Sequence, residues 1–255
     1  MGQRPMGTKK VIITGVTHEA NELTRKILQH FSSSVEVLVA DEVYSSVQHP
    51  SLGQLDSDLL MNGRNLARYC QAEQVRLMID ASDPFDEEIS EILYSAGLFS
   101  EIQRCTLVCP PWVLPSNARW LEVETLNAAI DILPRFSKRP LLSLPINVLE
   151  GLSRTEGIDP VLAMDQDDAL TEQLAKLDKI ILPRPYTPET EIEQFTTHEI
   201  DGLVCRNEGS EDALVRVVAA LTLKIPIVMI SRPPLVPGPA YNSIDGCLAW
   251  MESQL

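Results

Sequence analysis

The sequence predicts an α/β protein of doubly wound, mainly parallel sheets, and three observations carry that prediction. Apolar runs rich in Val, Ile and Leu alternate with amphipathic stretches along the 255 residues, the pattern of strand-helix-strand units. Several runs show little polar alternation, as expected of strands covered on both faces. Three of them end in polar clusters, Thr14 to Ala20, Asp80 to Phe85 and Cys205 to Ser210. Ligands of open α/β sheets bind at the carboxyl ends of strands, so these clusters are candidate sites.

Strands are expected at 10–14, 35–40, 75–80, 105–109, 141–144, 161–164, 179–182, 202–206 and 226–231. Helices fit 18–30, 62–72, 86–97, 124–133, 167–177, 189–198, 210–223 and 242–254. The first helix follows Gly15, which permits a sharp turn, and Thr17, a capping residue with Glu19 in the first turn. Residues 41–61 have few apolar repeats and include His49-Pro50 and Gly53, so a long edge loop is expected there. Asp83 is expected to cap the helix over 86–97, with Pro84 in its first position and Asp86 at the capping-box place. Leu133 to Pro140 holds two prolines and three basic residues, so 134–140 reads as a linker. The organisation expected is then two Rossmann-like domains, 1–133 and 141–255, with an interdomain cleft. In 210–223, Ala213, Leu214, Val217, Val218 and Leu221 recur at helical spacing. Ser210 is placed to cap that helix. No internal sequence repeat is strong enough to claim.

Composition narrows the partners. A net charge of −15 argues against nucleic acid and against anionic membranes, both of which call for a basic face. The charge is even, with ten basic and eighteen acidic residues in 1–133 and eleven and eighteen in 134–255. No apolar stretch reaches the ~18 residues that span a bilayer, and Met1 to Lys10 lacks the apolar core of a signal peptide. A cytoplasmic protein is expected. The five cysteines, without any Cys-x-x-Cys, read as reduced and mostly buried, and no metal site is expected.

Each candidate has two readings. Gly15 suits phosphate binding at a helix N-terminus, or an ordinary strand-to-helix turn; the three-glycine dinucleotide fingerprint is absent. Asp80 ends a strand without capping a helix, so it either orients a ligand or binds the following backbone amides. Arg206 and Asn207 are unexplained by capping and read as anion ligands or as a solvated pair. Arg184 and Arg232 stand beside prolines at strand ends, either facing ligand or facing solvent. Trp112 and Trp120, near Pro110-Pro111, read first as core packing.

These motifs, in this order, resemble precorrin-6A reductases, NADPH-dependent enzymes of cobalamin synthesis. The family's Gly-Gly-Thr-x-Glu-Ala resembles Gly15-Val16-Thr17-His18-Glu19-Ala20. Its Asp-Ala-Thr-His-Pro-Phe resembles Asp80-Ala81-Ser82-Asp83-Pro84-Phe85, and its Thr-Lys-Asn-Ser-Gly-Gly turn resembles Cys205 to Ser210. Pro111-Trp112, Tyr186 with Glu189 and Glu191, and Arg232-Pro233 also match. The resemblance implies reduction of precorrin-6A to precorrin-6B, with NADPH as cofactor and a polycarboxylate tetrapyrrole as substrate. It implies Gly15, Thr17, Glu19, Arg206 and Asn207 at the cofactor. Asp80, Ser82, Asp83, Arg184 and Arg232 would then lie at the substrate. A monomer or weak homo-oligomer is expected. Val16, Asp83 and Glu208 depart from the pattern and motivate an alternative, a non-catalytic relative that binds tetrapyrrole or nucleotide.

Overall fold

A computed structural model describes residues 8–31, 34–39, 49–152, 155–164, 170–181 and 186–255. The chain opens with β1 (Lys9–Thr14), α1 (His18–Phe31), β2 (Val35–Val39), β3 (Leu52–Gln54) and α2 (Gly63–Ala72). It continues with β4 (Val75–Asp80), α3 (Glu87–Ser100), β5 (Gln103–Leu107), β6 (Trp120–Val123) and α4 (Leu126–Ile132). Next come β7 (Pro140–Ser143), α5 (Ile146–Leu149), β8 (Val161–Met164), β9 (Asp178–Ile181) and α6 (Pro188–Thr197). The last elements are β10 (Gly202–Arg206), α7 (Glu211–Leu223), β11 (Ile227–Ile230), β12 (Ala240–Tyr241) and α8 (Ile244–Gln254).

Two six-stranded sheets result, ordered β12-β5-β4-β1-β2-β3 and β6-β11-β10-β7-β8-β9, with parallel pairing throughout. In each sheet a central strand is followed outward by two successors on one side, and the chain then returns to its other side. The order reverses between β1 and β4 in the first sheet and between β7 and β10 in the second. The expected doubly wound α/β fold is therefore present twice, with the same order. The repetition lies in hydrophobic pattern rather than identity, so comparison of residues does not reveal it.

The first unit comprises 1–110 and 233–255, and the second 111–232. This division differs from the expected domains 1–133 and 141–255. Strand β6, at 120–123, pairs with β11 of the second sheet, whereas β12 pairs with β5 of the first. The supposed linker 134–140 lies inside the second unit: a 3₁₀ turn covers Leu133–Arg135, and Pro140 opens β7, whose lack of an N–H is tolerated at a strand's first residue. Short β3, β6 and β12 were not expected: β3 and β12 have only three and two residues, and β6, Trp120-Leu121-Glu122-Val123, lacks an unbroken apolar run. The region 167–177 holds a 3₁₀ turn at Leu174–Lys176 instead of a long helix, with 165–169 outside the described residues. Part of the expected 41–61 loop is ordered as β3 and a 3₁₀ turn at Ser57–Met61.

Packing follows the pleat. Val11 and Ile13 of β1 face α1 and α8, contacting a layer that includes Leu23, Ile27, Trp250 and Met251. Ile12 lies in the opposite layer with Leu66 of α2 and Leu93 of α3. In the second unit Leu141, Leu203 and Met229 pack with Phe195 and Val217, and Trp112 and Trp120 flank that core as expected.

The start of β7 is tied to that of β10 by Asp201. Its carboxylate accepts from Ser137 Oγ at 2.6 Å, Lys138 N at 2.8 Å and Arg139 N at 2.8 Å. Asp201→Ala strands these donors and is expected to cost about 2 kcal/mol, read as a lower urea midpoint at unchanged slope.

Cys70, Cys105, Cys205 and Cys247 are buried. Burial pushes the Cys70 and Cys205 thiols up from 9.0 to about 12. Both stay neutral in the fold while the unfolded chain ionises from about pH 9, so their contribution is complete below pH 9 and lost toward pH 12. Urea midpoints are expected to fall across that interval, and less steeply in Cys70→Ala; an identical slope in that variant would refute the assignment.

Candidate functional site

In the first unit the expected residues gather where the strand order reverses, at the ends of β1 and β4. Gly15 has φ of 100°, and a Cβ there would lie 2.2 Å from the Ala81 carbonyl oxygen. Only glycine lets the chain leave β1 in this conformation and pass this close to β4. Thr17 joins the same turn. Its hydroxyl accepts from Ala20 N at 3.1 Å, capping α1, and donates to the Ala81 carbonyl at 3.0 Å. Glu19 occupies the first turn of α1. Val16 is half exposed.

Asp80 is buried at the end of β4. Its Oδ1 accepts from Ser82 N at 3.2 Å and from Thr14 Oγ1 at 3.5 Å, and Ser82 Oγ donates to Thr14 Oγ1 at 3.1 Å. Oδ2 is buried with no hydrogen-bond partner among the described residues. Half of this carboxylate therefore fixes the turn, and the other half remains an acceptor. A cavity of about 40 Å³, lined in part by Asp80, Ser82, Asp83, Thr106 and Pro233, adjoins it.

Asp83 is not the cap of α3. Its Oδ1 accepts from Phe85 N at 2.8 Å, a local Asx turn, whereas Asp86 is the N-cap and accepts from Ile89 N. The chain makes one further turn after Pro84 before the helix begins. Burial raises the Asp86 pKa, opposed by the Ile89 amide and reinforced by Asp80 and Asp83. Arg104, unnoticed in the sequence, is buried and donates to Thr106 Oγ1 at 3.0 Å and the Pro237 carbonyl at 2.7 Å. It ties the returning 237–239 segment to β5.

In the second unit the expected Arg206 and Asn207 end β10. Both are buried. Arg206 Nε and Nη2 donate to Glu208 Oε1 at 3.3 and 3.2 Å. The Asn207 amide serves the scaffold: Oδ1 accepts from Trp112 N at 2.8 Å and Nδ2 donates to the Trp112 carbonyl at 3.2 Å. Arg232 Nε donates to the Asn207 carbonyl. Asn207 thus pins both the entry and the exit of the second unit. Arg184 lies outside the described residues.

A pocket of about 560 Å³ opens at the carboxyl edge of this sheet, lined in part by Ser143, Tyr186, Arg206, Glu208 and Arg216. Arg216 was absent from the expected set. It sits on α7 beside the apolar stripe and bonds to residues 25 or more positions away in sequence, so no local motif marks it. Glu191 Oε1 lies 3.4 Å from Arg216 Nε, and Glu191 is fully buried. Burial raises the Glu191 pKa, opposed by the Arg216 charge.

The chain matches the family model "Precorrin-6x reductase CbiJ/CobK" over residues 10–252. A precorrin-6A reductase of Rhodobacter capsulatus is 25% identical over 186 residues, 73% of this chain and 74% of that protein. Those of Sinorhizobium sp and Rhodococcus erythropolis are each 24% identical, cover 95% of this chain, and are themselves covered to 92% and 97%. A solved structure of CobK precorrin-6A reductase aligns with TM-score 0.82 at 22% identity, over 97% of both chains, which shows the shared fold. These relatives are named as reductases, so the non-catalytic alternative is not favoured. No helix among the described residues is long and apolar enough to cross a membrane. With residues 10–252 of the chain matched by the family model and the fold shared over 97% of both chains, the chain belongs to the precorrin-6x reductase CbiJ/CobK family of oxidoreductases.

Proposed function

We propose that this chain reduces precorrin-6A with NADPH in cobalamin synthesis. The observation that best supports this reading is the Gly15 turn. It brings the start of α1, a helix of 14 residues, against the end of β4 at the point of strand reversal, where dinucleotides bind in such sheets. The residues present fit the cofactor. The first amides of α1 form an anion-binding terminus, and Val16, in place of the family's second glycine, is exposed. Asp80 Oδ2 is a buried acceptor lacking a partner among the described residues, suited to a ligand hydroxyl or amide.

When bound, the nicotinamide supplies the hydride. The chain's own residues bind and orient. Gly15 and the α1 amides take a phosphate, Thr17 holds the helix end in place, and Glu19 lies one turn on. Asp80, backed by Thr14 and Ser82, orients a polar group of ligand. Arg232 and Asp83 stand on the substrate's side of the proposal, with Arg184 sharing that assignment.

Titration calorimetry with NADPH tests the reading. Saturable binding by the wild-type chain, abolished in Asp80→Ala/Gly15→Ala, is the expected result. Heat indistinguishable from dilution at millimolar cofactor would overturn it.

A further inference from the structure

We propose that the outer face of α2 and α3 in the first unit is an interaction surface, and that its partner is a second copy of this chain, paired about a two-fold axis. Three large apolar side chains stand exposed there. Met61 closes the 3₁₀ turn before α2 and is 73% exposed; Leu98 and Phe99, in the last turn of α3, are 64% and 50% exposed. The turn and the two helices pack against one another. A Cβ on Gly63 would lie 2.9 Å from Ser95 Cβ, so the chain just after Met61 runs beside the turn of α3 that leads to Leu98. Large apolar side chains exposed as a group mark interaction sites, whereas scattered single ones do not. None of the three belongs to the ligand-binding set proposed above, so the surface goes beyond that reading.

Charge identifies what covers the face. Helix α2 has two basic side chains, Arg64 and Arg68, and no acidic one, whereas α3 has three acidic side chains and no basic one. Arg64 and Arg68 are four residues apart and share one side of α2, and Glu91 lies seven residues before Leu98 on one side of α3. Both arginines are exposed, as are Glu88 and Glu91. None of these four forms an ion pair or a side-chain hydrogen bond among the described residues. Arg64 lies over the Phe99 ring, 5.0 Å from its carbon to the centroid, which puts the basic end of the face directly beside the apolar patch. Glu88 and Glu91 lie about 10–17 Å back along α3, at ~1.5 Å per residue. The face therefore runs from acidic through apolar to basic. A two-fold axis through its apolar centre joins Leu98 and Phe99 of the two copies. It also sets Arg64 and Arg68 of each copy against Glu88 and Glu91 of the other. A uniformly acidic or basic partner would meet a like charge at one end of this face, whereas a second copy meets an opposite charge at both. The net charge of −15 on each chain opposes long-range approach, so the pairing is weak, with Kd on the order of 10 µM.

Sedimentation velocity of the full chain from about 1 µM to about 1 mM, a range that brackets this affinity, tests the pairing. Wild type is expected to pass from monomer to dimer and no further, because an isologous contact closes on itself. Arg64→Glu/Arg68→Glu places like charges at both ends of the contact and should raise Kd at least about tenfold. Glu88→Arg/Glu91→Arg should do the same. An equimolar mixture of the two double variants should recover the dimer as a heterodimer, in which every reversed charge meets its opposite. Misfolding of either variant would prevent that recovery rather than produce it. Leu98→Ser should also weaken the pairing, whereas Leu121→Ser, at an exposed apolar residue of the second unit, should leave it unchanged. Should a charge-reversed variant fail to fold by circular dichroism, the contrast between Leu98→Ser and Leu121→Ser decides. A wild type that stays monomeric throughout overturns the proposal and leaves the face to a different protein. A dimer unmoved by Leu98→Ser or by either reversal, equal weakening by Leu98→Ser and Leu121→Ser, or folded double variants that regain no dimer on mixing overturn it as well.

Discussion

Gly15→Ala is expected to destabilise the first unit by about 3 kcal/mol, the combined cost of a left-handed backbone at a residue with Cβ and of overpacking. The added carbon would sit 2.2 Å from the Ala81 carbonyl oxygen and 2.7 Å from Ser82 Cα. Both contacts are with backbone, so no side chain can swing aside. Relief requires β1 and β4 to part at their ends. That movement would also break the Thr17 to Ala81 bond and the Thr14, Asp80 and Ser82 network. Stability and cofactor affinity should therefore fall together. Val16→Ala provides the control, because an exposed side chain next door should change stability by no more than about 0.5 kcal/mol. Denaturant midpoints of the two variants measure the contrast; equal midpoints would refute the close approach.

Glu191→Ala would unfold far more than its single side chain suggests. The substitution leaves the Arg216 side chain, 14% exposed, without its counter-charge and opens a cavity where the buried Glu191 side chain was. Removing one partner of a buried pair costs about 3 kcal/mol or more. Arg216→Met in the same background removes the stranded charge, and the double variant should recover at least half of the loss. Chemical denaturation of the wild type, two single variants and double variant forms a complete cycle. Strict additivity would show that the two side chains do not interact.

How far the sequence reached follows from the range of each signal. The doubly wound architecture was legible because strand cores such as Val11-Ile12-Ile13 and Leu203-Val204 are apolar on both faces. Gly15, Thr17, Asp80 and Ser82 were legible because a turn, a cap and a strand end are local events. Their meeting in space follows from the parallel pairing of β1 with β4, which sets Thr14 opposite Asp80. Asp83 misled because Asp-Pro is as good at opening a turn as at opening a helix, and a second aspartate, Asp86, stood three residues on to take the cap. The expected boundary followed Pro134 and Pro140, which mark a turn within a unit, while the crossings at Pro110-Pro111 and Arg232-Pro233 lead into the short strands β6 and β12, which show no period. Glu191 was named only through the family resemblance and its partner Arg216 stayed hidden, because their pairing joins two helices, and Arg104 because its partner carbonyl is 133 positions away. Such contacts leave no trace in spacing.

Mixing the purified chain with NADPH and precorrin-6A, and following loss of the reduced nicotinamide absorbance, tests the central claim most directly. One reduced cofactor consumed for each precorrin-6A converted, and none without it, is the predicted result. Tight binding of both compounds with no oxidation of the nicotinamide would contradict it.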